Sequence, residues 1–169
     1  KPLLATCVML ADAESQHLLA LLALDLSWWS SKQDELDLRT AILAGSGLVE
    51  DELMMHPSHT HSAPRTSLEF IHRPAGHLIP LYREQIKKVS IGLIREAREK
   101  SKPAILTWRT GHCDLAYNRD LQSPDDGRVL CGLNPGTDAD RTLLVGRALG
   151  QDGQVLCTCV NYACHPISL

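Results

Sequence analysis

Leu53-Met54-Met55-His56-Pro57-Ser58-His59-Thr60-His61-Ser62-Ala63-Pro64 joins a short apolar run to two imidazoles two residues apart. The run, Leu53 to Ser58, reads as a strand, and its place between two helical patterns decides the fold. Upstream, Ser31 and Asp34 form a capping-box-like start. Leu36, Leu38, Ala41 and Ile42 give that helix an apolar side, and Gly45 and Gly47 supply its stop. Downstream, between Pro74 and Lys102, Ile79, Tyr82, Ile86, Val89, Leu93 and Ala97 recur at intervals of three and four, one stripe of a second helix.

Further out, the pattern changes to strands. Leu3 to Leu10 and Leu18 to Trp29 flank the polar segment Ala11-Asp12-Ala13-Glu14-Ser15-Gln16, which predicts a hairpin whose second strand is buried on both faces. Beyond Pro103, Ala104 to Thr110 is strand-like, and a polar run follows from His112 to Pro124. Asp125-Asp126-Gly127 and Asn134-Pro135-Gly136 are turn signals. Arg141 to Leu149 and Gln154 to Ala163 predict a hairpin about Gly150-Gln151-Asp152-Gly153. Strands precede, separate and follow the helices. The expectation is an α/β fold, a sandwich with a mixed β-sheet and β-hairpins flanked by helices.

The 169 residues suit one domain, expected to span residues 1–169 and to be incomplete, because the chain begins at Lys1 without Met and stops four residues past His165. The composition, 44% hydrophobic and 22% charged, is that of an ordinary globular protein. A net charge of −3 argues against a nucleic-acid partner. The basic residues from Arg83 to Lys102 alternate with Glu84, Glu96 and Glu99, which predicts a solvated helix face. No stretch approaches the roughly 20 apolar residues of a membrane span. No export signal is visible, so exported and cytoplasmic locations both stay open. Six cysteines without a C-x-x-C pair predict reduced, mostly buried thiols and no cysteine-built zinc site.

The chemistry is concentrated in two places: His59-Thr60-His61, and Asn161-Tyr162-Ala163-Cys164-His165-Pro166 at the end of the last strand. Imidazoles delivered from the ends of two strands suit a catalytic zinc ion, which takes nitrogen donors tetrahedrally and keeps one position open. Alternate residues of a strand point to opposite faces. Both histidines therefore reach one site only if the chain bends there, and Pro64 marks the nearest bend.

The ordered set of His59 to Pro64, Gly111 through Asn118-Arg119, Asn134-Pro135, Asp140 and Asn161 to Pro166 resembles the N-terminal catalytic domain of the neutral/alkaline, non-lysosomal ceramidases and their bacterial relatives. The resemblance runs from about Leu18 to the last residue. It implies a zinc-dependent amide hydrolase of sphingolipid metabolism, acting on N-acyl sphingosine or a related N-acyl amide, with peripheral membrane contact. It makes His59 and His165 zinc ligands, His61 a histidine beside the metal that touches the substrate, and Arg119 the guanidinium against the scissile group. Two departures accompany it. The family completes its zinc shell with a Glu and a Tyr from much later in the chain, and it carries a glycine-rich segment where Ala63-Pro64-Arg65-Thr66 stands here.

Plainer readings stand beside these. His59 and His165 could be core histidines bonded to carbonyls, His61 could orient His59, and Arg119 could pair with Asp120 or Asp114. Asp25 reads either as a carboxylate behind a zinc histidine or as a helix cap. His56, His72, His77 and His112 read as solvated. An amidohydrolase barrel needs eight parallel strands, and Ser62-Ala63-Pro64 departs from the metallo-β-lactamase pattern. The remaining alternative is a ceramidase-like domain that is catalytically incomplete and binds no metal tightly.

Overall fold

The computed structural model describes residues 2–15 and 17–165; Gln16 of the first turn and Pro166 of the C-terminal motif lie outside the described residues. The chain divides into two compact units, Lys1–Ser101 and Lys102–Leu169.

In the first unit, β1 (Ala5–Ala11) and β2 (Leu18–Leu24) form the expected antiparallel hairpin, in register from Ala5 opposite Leu24 to Ala11 opposite Leu18. Helix α1 (Lys32–Ser46) follows, then β3 (Leu53–Pro57), which lies parallel to β2. The sheet order β1-β2-β3 makes this a mixed sheet with β2 central. Helix α2 (Ile79–Glu99) packs on β1, on β2 and on α1. Along β2 the side chains alternate: Ala20, Leu22 and Leu24 are buried, while Leu19, Leu21 and Ala23 are only half-buried. The buried face joins Leu38 and Ile42 of α1, Leu53 and Met55 of β3, and Ile86 and Ile94 of α2 in the core.

Strand β2 stops at Leu24, five residues before the expected Trp29. The Asp25 carboxylate accepts the Leu4 backbone N–H at 2.8 Å, and the Asp25 N–H donates to the Leu4 carbonyl at 2.9 Å. Asp25 therefore closes the open end of the hairpin and is not the helix cap. The cap is Ser31, whose hydroxyl accepts the Asp34 N–H at 3.1 Å and donates to the Asp34 carboxylate at 2.8 Å. At the other end of α1, Gly47 takes the left-handed conformation (φ 72°) and returns its N–H to the Leu43 carbonyl.

Helix α2 turns inward a side that overlaps the stripe its apolar spacing predicts and extends beyond it: Ile79 and Ile86 are buried and Tyr82 packs against the core, as expected. Its buried residues are Ile79, Arg83, Ile86, Ser90 and Ile94, and Val89 is exposed. Arg83 is thus no part of a solvated face. It is 7% exposed and reaches Asp34 of α1 at 3.0 Å. Burial pushes the Asp34 carboxyl up, but the Ser67 and Ser31 hydroxyls and the Arg83 guanidinium outweigh that and hold it below the ordinary carboxylate value. A depressed folded-state pKa adds stability above roughly pH 4, where the unfolded carboxylate titrates, and that stability is lost as the pH falls through the folded-state value. Urea midpoints measured from pH 5 down to pH 3 should fall less steeply for Asp34→Asn than for the parent chain. Parallel slopes would remove Asp34 from the acid response.

The second unit is all strand among its described residues. β4 (Ala104–His112), β7 (Thr142–Gly150) and β8 (Val155–Tyr162) form an antiparallel sheet in the order β4-β7-β8, and β5 (Asp120–Gln122) pairs with β6 (Val129–Cys131). The β7–β8 turn is the predicted one: Gly150 donates to the Gln154 carbonyl, and Gly153 has φ 78°. The β5–β6 hairpin, by contrast, has strands of three residues each, too short to show as alternation. The mixed sheet and both helices therefore belong to the first unit, where one layered sandwich was expected across the chain. All six cysteines are free, and Cys131 and Cys164 are exposed, so the thiols are less buried than expected. No described helix is long and apolar enough to cross a membrane.

Candidate metal centre

Strands β2 and β3 run parallel with Leu24 opposite Pro57, and the Ser58 N–H extends the pairing to the Leu24 carbonyl at 2.8 Å. The segments that follow, 25–31 and 58–67, therefore leave the sheet from one edge. The carboxyl edge of parallel strands is where α/β sheets place ligands.

At that edge His59 has φ 63°, a left-handed backbone that few non-glycine residues adopt and that histidine accepts more readily than most. The bend sits at His59 itself, five residues before Pro64. Because the backbone reverses there, His59 and His61 no longer alternate, and their rings meet edge-on with centroids 5.2 Å apart. Two imidazoles on one tetrahedral zinc, each nitrogen about 2.0–2.1 Å from the ion, hold their ring centres roughly 5 Å apart. The pair fits a shared ion. Strain of this kind persists only where surrounding structure enforces it, and it gathers at functional sites.

Trp28 completes the cluster, its ring 5.9 Å from that of His59 and 5.8 Å from that of His61. His61 also lines a cavity of about 210 Å³, together with Ser27, Trp28 and Ser30 from the segment after β2 and Pro64, Arg65 and Thr66 from its own segment. A second cavity, of about 490 Å³, shares Pro64 and Arg65 with the first and runs between Phe70, Leu78, Ile79 and Tyr82. The Arg65 guanidinium lies 4.3 Å over the Phe70 ring.

In the second unit, Arg119 is half-buried just before β5. Its carbonyl accepts the N–H groups of Gly132 (2.9 Å) and Leu121 (3.1 Å), and the neighbouring Asn118 carbonyl accepts that of Asn134 (2.9 Å). The Asn134 side chain donates to the Asp120 carbonyl, so this asparagine shapes the loop that presents Arg119. Asp114 is paired with His112 at 3.0 Å and Arg141 at 3.4 Å. His165 is exposed, three residues past β8. The Tyr162 hydroxyl at the end of that strand donates to the Cys113 carbonyl (2.9 Å) and accepts the Ala116 N–H (2.8 Å), tying β8 to the segment after β4. Asp140 accepts the Thr142 N–H at 2.8 Å and starts β7, a local structural role.

Solved structures similar to the chain include two ceramidases. One, a ceramidase complexed with C2, superposes with a TM-score of 0.66 at 20% identity, over 90% of this chain and 24% of that one. The other is the neutral ceramidase of Pseudomonas aeruginosa, with a TM-score of 0.62 at 18% identity and the same two coverages. The chain has a neutral-ceramidase fold. It spans about a quarter of the length of those ceramidases. No family profile and no curated sequence matches it. The likeness is thus one of fold, at 18–20% sequence identity.

Sequence reasoning missed Trp28 and Arg83. The first carried a signal: the pair Trp28-Trp29 with serines on either side, just after a strand that Asp25 interrupts, is costly to expose unless the rings line something. The second carried none, since an arginine between a tyrosine and a glutamate reads as surface.

Proposed function

We propose that the chain forms part of a zinc-dependent amide hydrolase of the ceramidase type, with an N-acyl amide bearing a long apolar chain as substrate. The close pair of imidazoles at the carboxyl edge of β2 and β3 carries this reading. In it, His59 and His165 hold the metal, and His61 lies against it. Zinc, when bound, lowers the pKa of its water to about 7 and polarises the substrate carbonyl. The chain's own residues do the rest. His61, at the mouth of the smaller cavity, donates to or accepts from the substrate beside the scissile bond, and Arg119 offers a fixed guanidinium to the developing oxyanion.

The larger cavity supports the substrate class. Pockets of 300–1,000 Å³ with mostly apolar walls and a few polar groups suit ligands with a substantial apolar part. Phe70, Leu78, Ile79 and Tyr82 supply the walls, and Arg65 joins the two cavities. Hydrolysis by the zinc-loaded full-length protein of N-acyl amides graded from two to twelve acyl carbons tests the proposal. Long chains should be preferred, and Phe70→Ala should reduce that preference roughly tenfold, about the contribution of one large apolar contact. Zinc-loaded protein that turns over neither a fluorescent ceramide nor a short N-acyl amide would favour a catalytically incomplete domain.

A further inference from the structure

The pair of Arg83 and Asp34 is buried, and neither residue lines either of the two cavities described above. A buried ion pair is seldom more stable than apolar residues of the same size, so its presence calls for another explanation. Its partners supply one. Arg83 donates from one nitrogen to the Asp34 carboxylate and to the Thr66 carbonyl, both at 3.0 Å. Asp34 in turn accepts the Ser31 hydroxyl at 2.8 Å and a hydrogen bond from the Ser67 side chain.

These contacts converge from two directions. Ser31 ends the segment whose Ser27, Trp28 and Ser30 line the smaller cavity; Thr66, in the segment after His61, lines the same cavity, and Ser67 follows it. Thr66 and Ser67 are buried in a stretch without regular secondary structure, where a backbone carbonyl must find a donor. Arg83 is that donor; it holds the Thr66 segment directly and reaches the Trp28 segment through Asp34 and Ser31. We propose that Arg83 and Asp34 are positioning residues: together they hold the Trp28 wall and the His61 wall at a set separation, and so hold the His59–His61 pair ready for metal. The metal part rests on the proposed zinc centre; the wall-to-wall part does not.

The test uses the full chain with Trp29→Phe and Trp108→Phe, which leaves Trp28 as the sole indole. Arg83→Met, Arg83→Lys and Asp34→Asn are compared with Ile94→Ala, a buried change on the same helix that touches neither wall. Zinc affinity is titrated and Trp28 emission is recorded at a temperature where circular dichroism shows each variant folded. Arg83→Met and Asp34→Asn should shift Trp28 emission to the red and weaken zinc binding about tenfold, the scale for groups that orient metal ligands. Arg83→Lys, which keeps the charge but not the fork, should recover part of both. Ile94→Ala should lower the melting temperature with neither effect.

Unchanged emission and affinity in folded Arg83→Met, or equal changes in Ile94→Ala, would overturn the proposal. If Arg83→Met does not fold, Arg83→Lys and Asp34→Asn decide by the same readouts. If the parent chain binds no zinc, the functional reading fails alone, and the Trp28 shift still decides whether the pair positions the walls.

Discussion

Replacing His59 with asparagine should weaken zinc binding by roughly 100-fold or more while leaving the fold intact. Removing a group that merely orients a ligand costs 10- to 100-fold, so losing a ligand should cost at least the upper end. Asparagine is the right probe because the backbone at position 59 is left-handed (φ 63°) and asparagine accepts that conformation. Thermal melts of the variant and the parent should agree to within a few degrees. His165→Ala should produce a loss of the same order, and the double variant decides whether the two act together. Residues serving one ion are strongly non-additive, whereas independent sites sum. A double variant no worse than the poorer single one is the expected result in isothermal titration. Losses that add would put the imidazoles on separate ions, and zinc uptake equal to the parent's in all variants would end the metal hypothesis.

Gly76→Ala should be the most damaging single-methyl change in the first unit. Gly76 is buried in the 3-10 turn that leads directly into α2 (Gly76–Leu78), and an added Cβ would lie 2.3 Å from the Phe70 carbonyl oxygen and 2.4 Å from that of Ile71. Both obstacles are backbone, so neither can swing aside. Overpacking of this kind costs about 3 kcal/mol. In a chain of this size that lowers the melting temperature by roughly 5–10 °C. Phe70 and Gly76 both line the larger cavity, so the same change should also reduce the preference for long acyl chains. Gly92→Ala is the control: it lies on the exposed side of α2 with nothing within 4 Å of an added Cβ, and it should stabilise by about 0.5–1 kcal/mol. A Gly76→Ala chain that melts with the parent would show that the loop before α2 yields easily.

Much of the scaffold was legible in the residues because its signals are local. Ser31 with Asp34, and Gly47, marked both ends of α1 through bonds made within four positions. The turn from Gly150 to Gly153 set the β7–β8 hairpin by the same logic. Errors came where a distant partner intervened. Asp25 ended β2 early by bonding to Leu4, 21 positions away, and that freed Ser27 to Ser30 to form a cavity wall. On α2 the apolar stripe left out Arg83, which turns inward to reach Asp34, 49 positions back.

The candidate site divides along the same line. The amino-acid sequence by itself determined which donor groups exist, the order of strands and helices that carries them, and the chemistry that two imidazoles and a guanidinium can perform. Only the tertiary structure decided that β2 and β3 run parallel and release their following segments from one edge, that His59 rather than Pro64 makes the bend, and that Trp28 closes over both rings. The physical reason is range. Caps and turns are stabilised by bonds between neighbours in the chain, whereas the sharing of an edge, a cavity or a buried charge depends on which distant surfaces exclude water together.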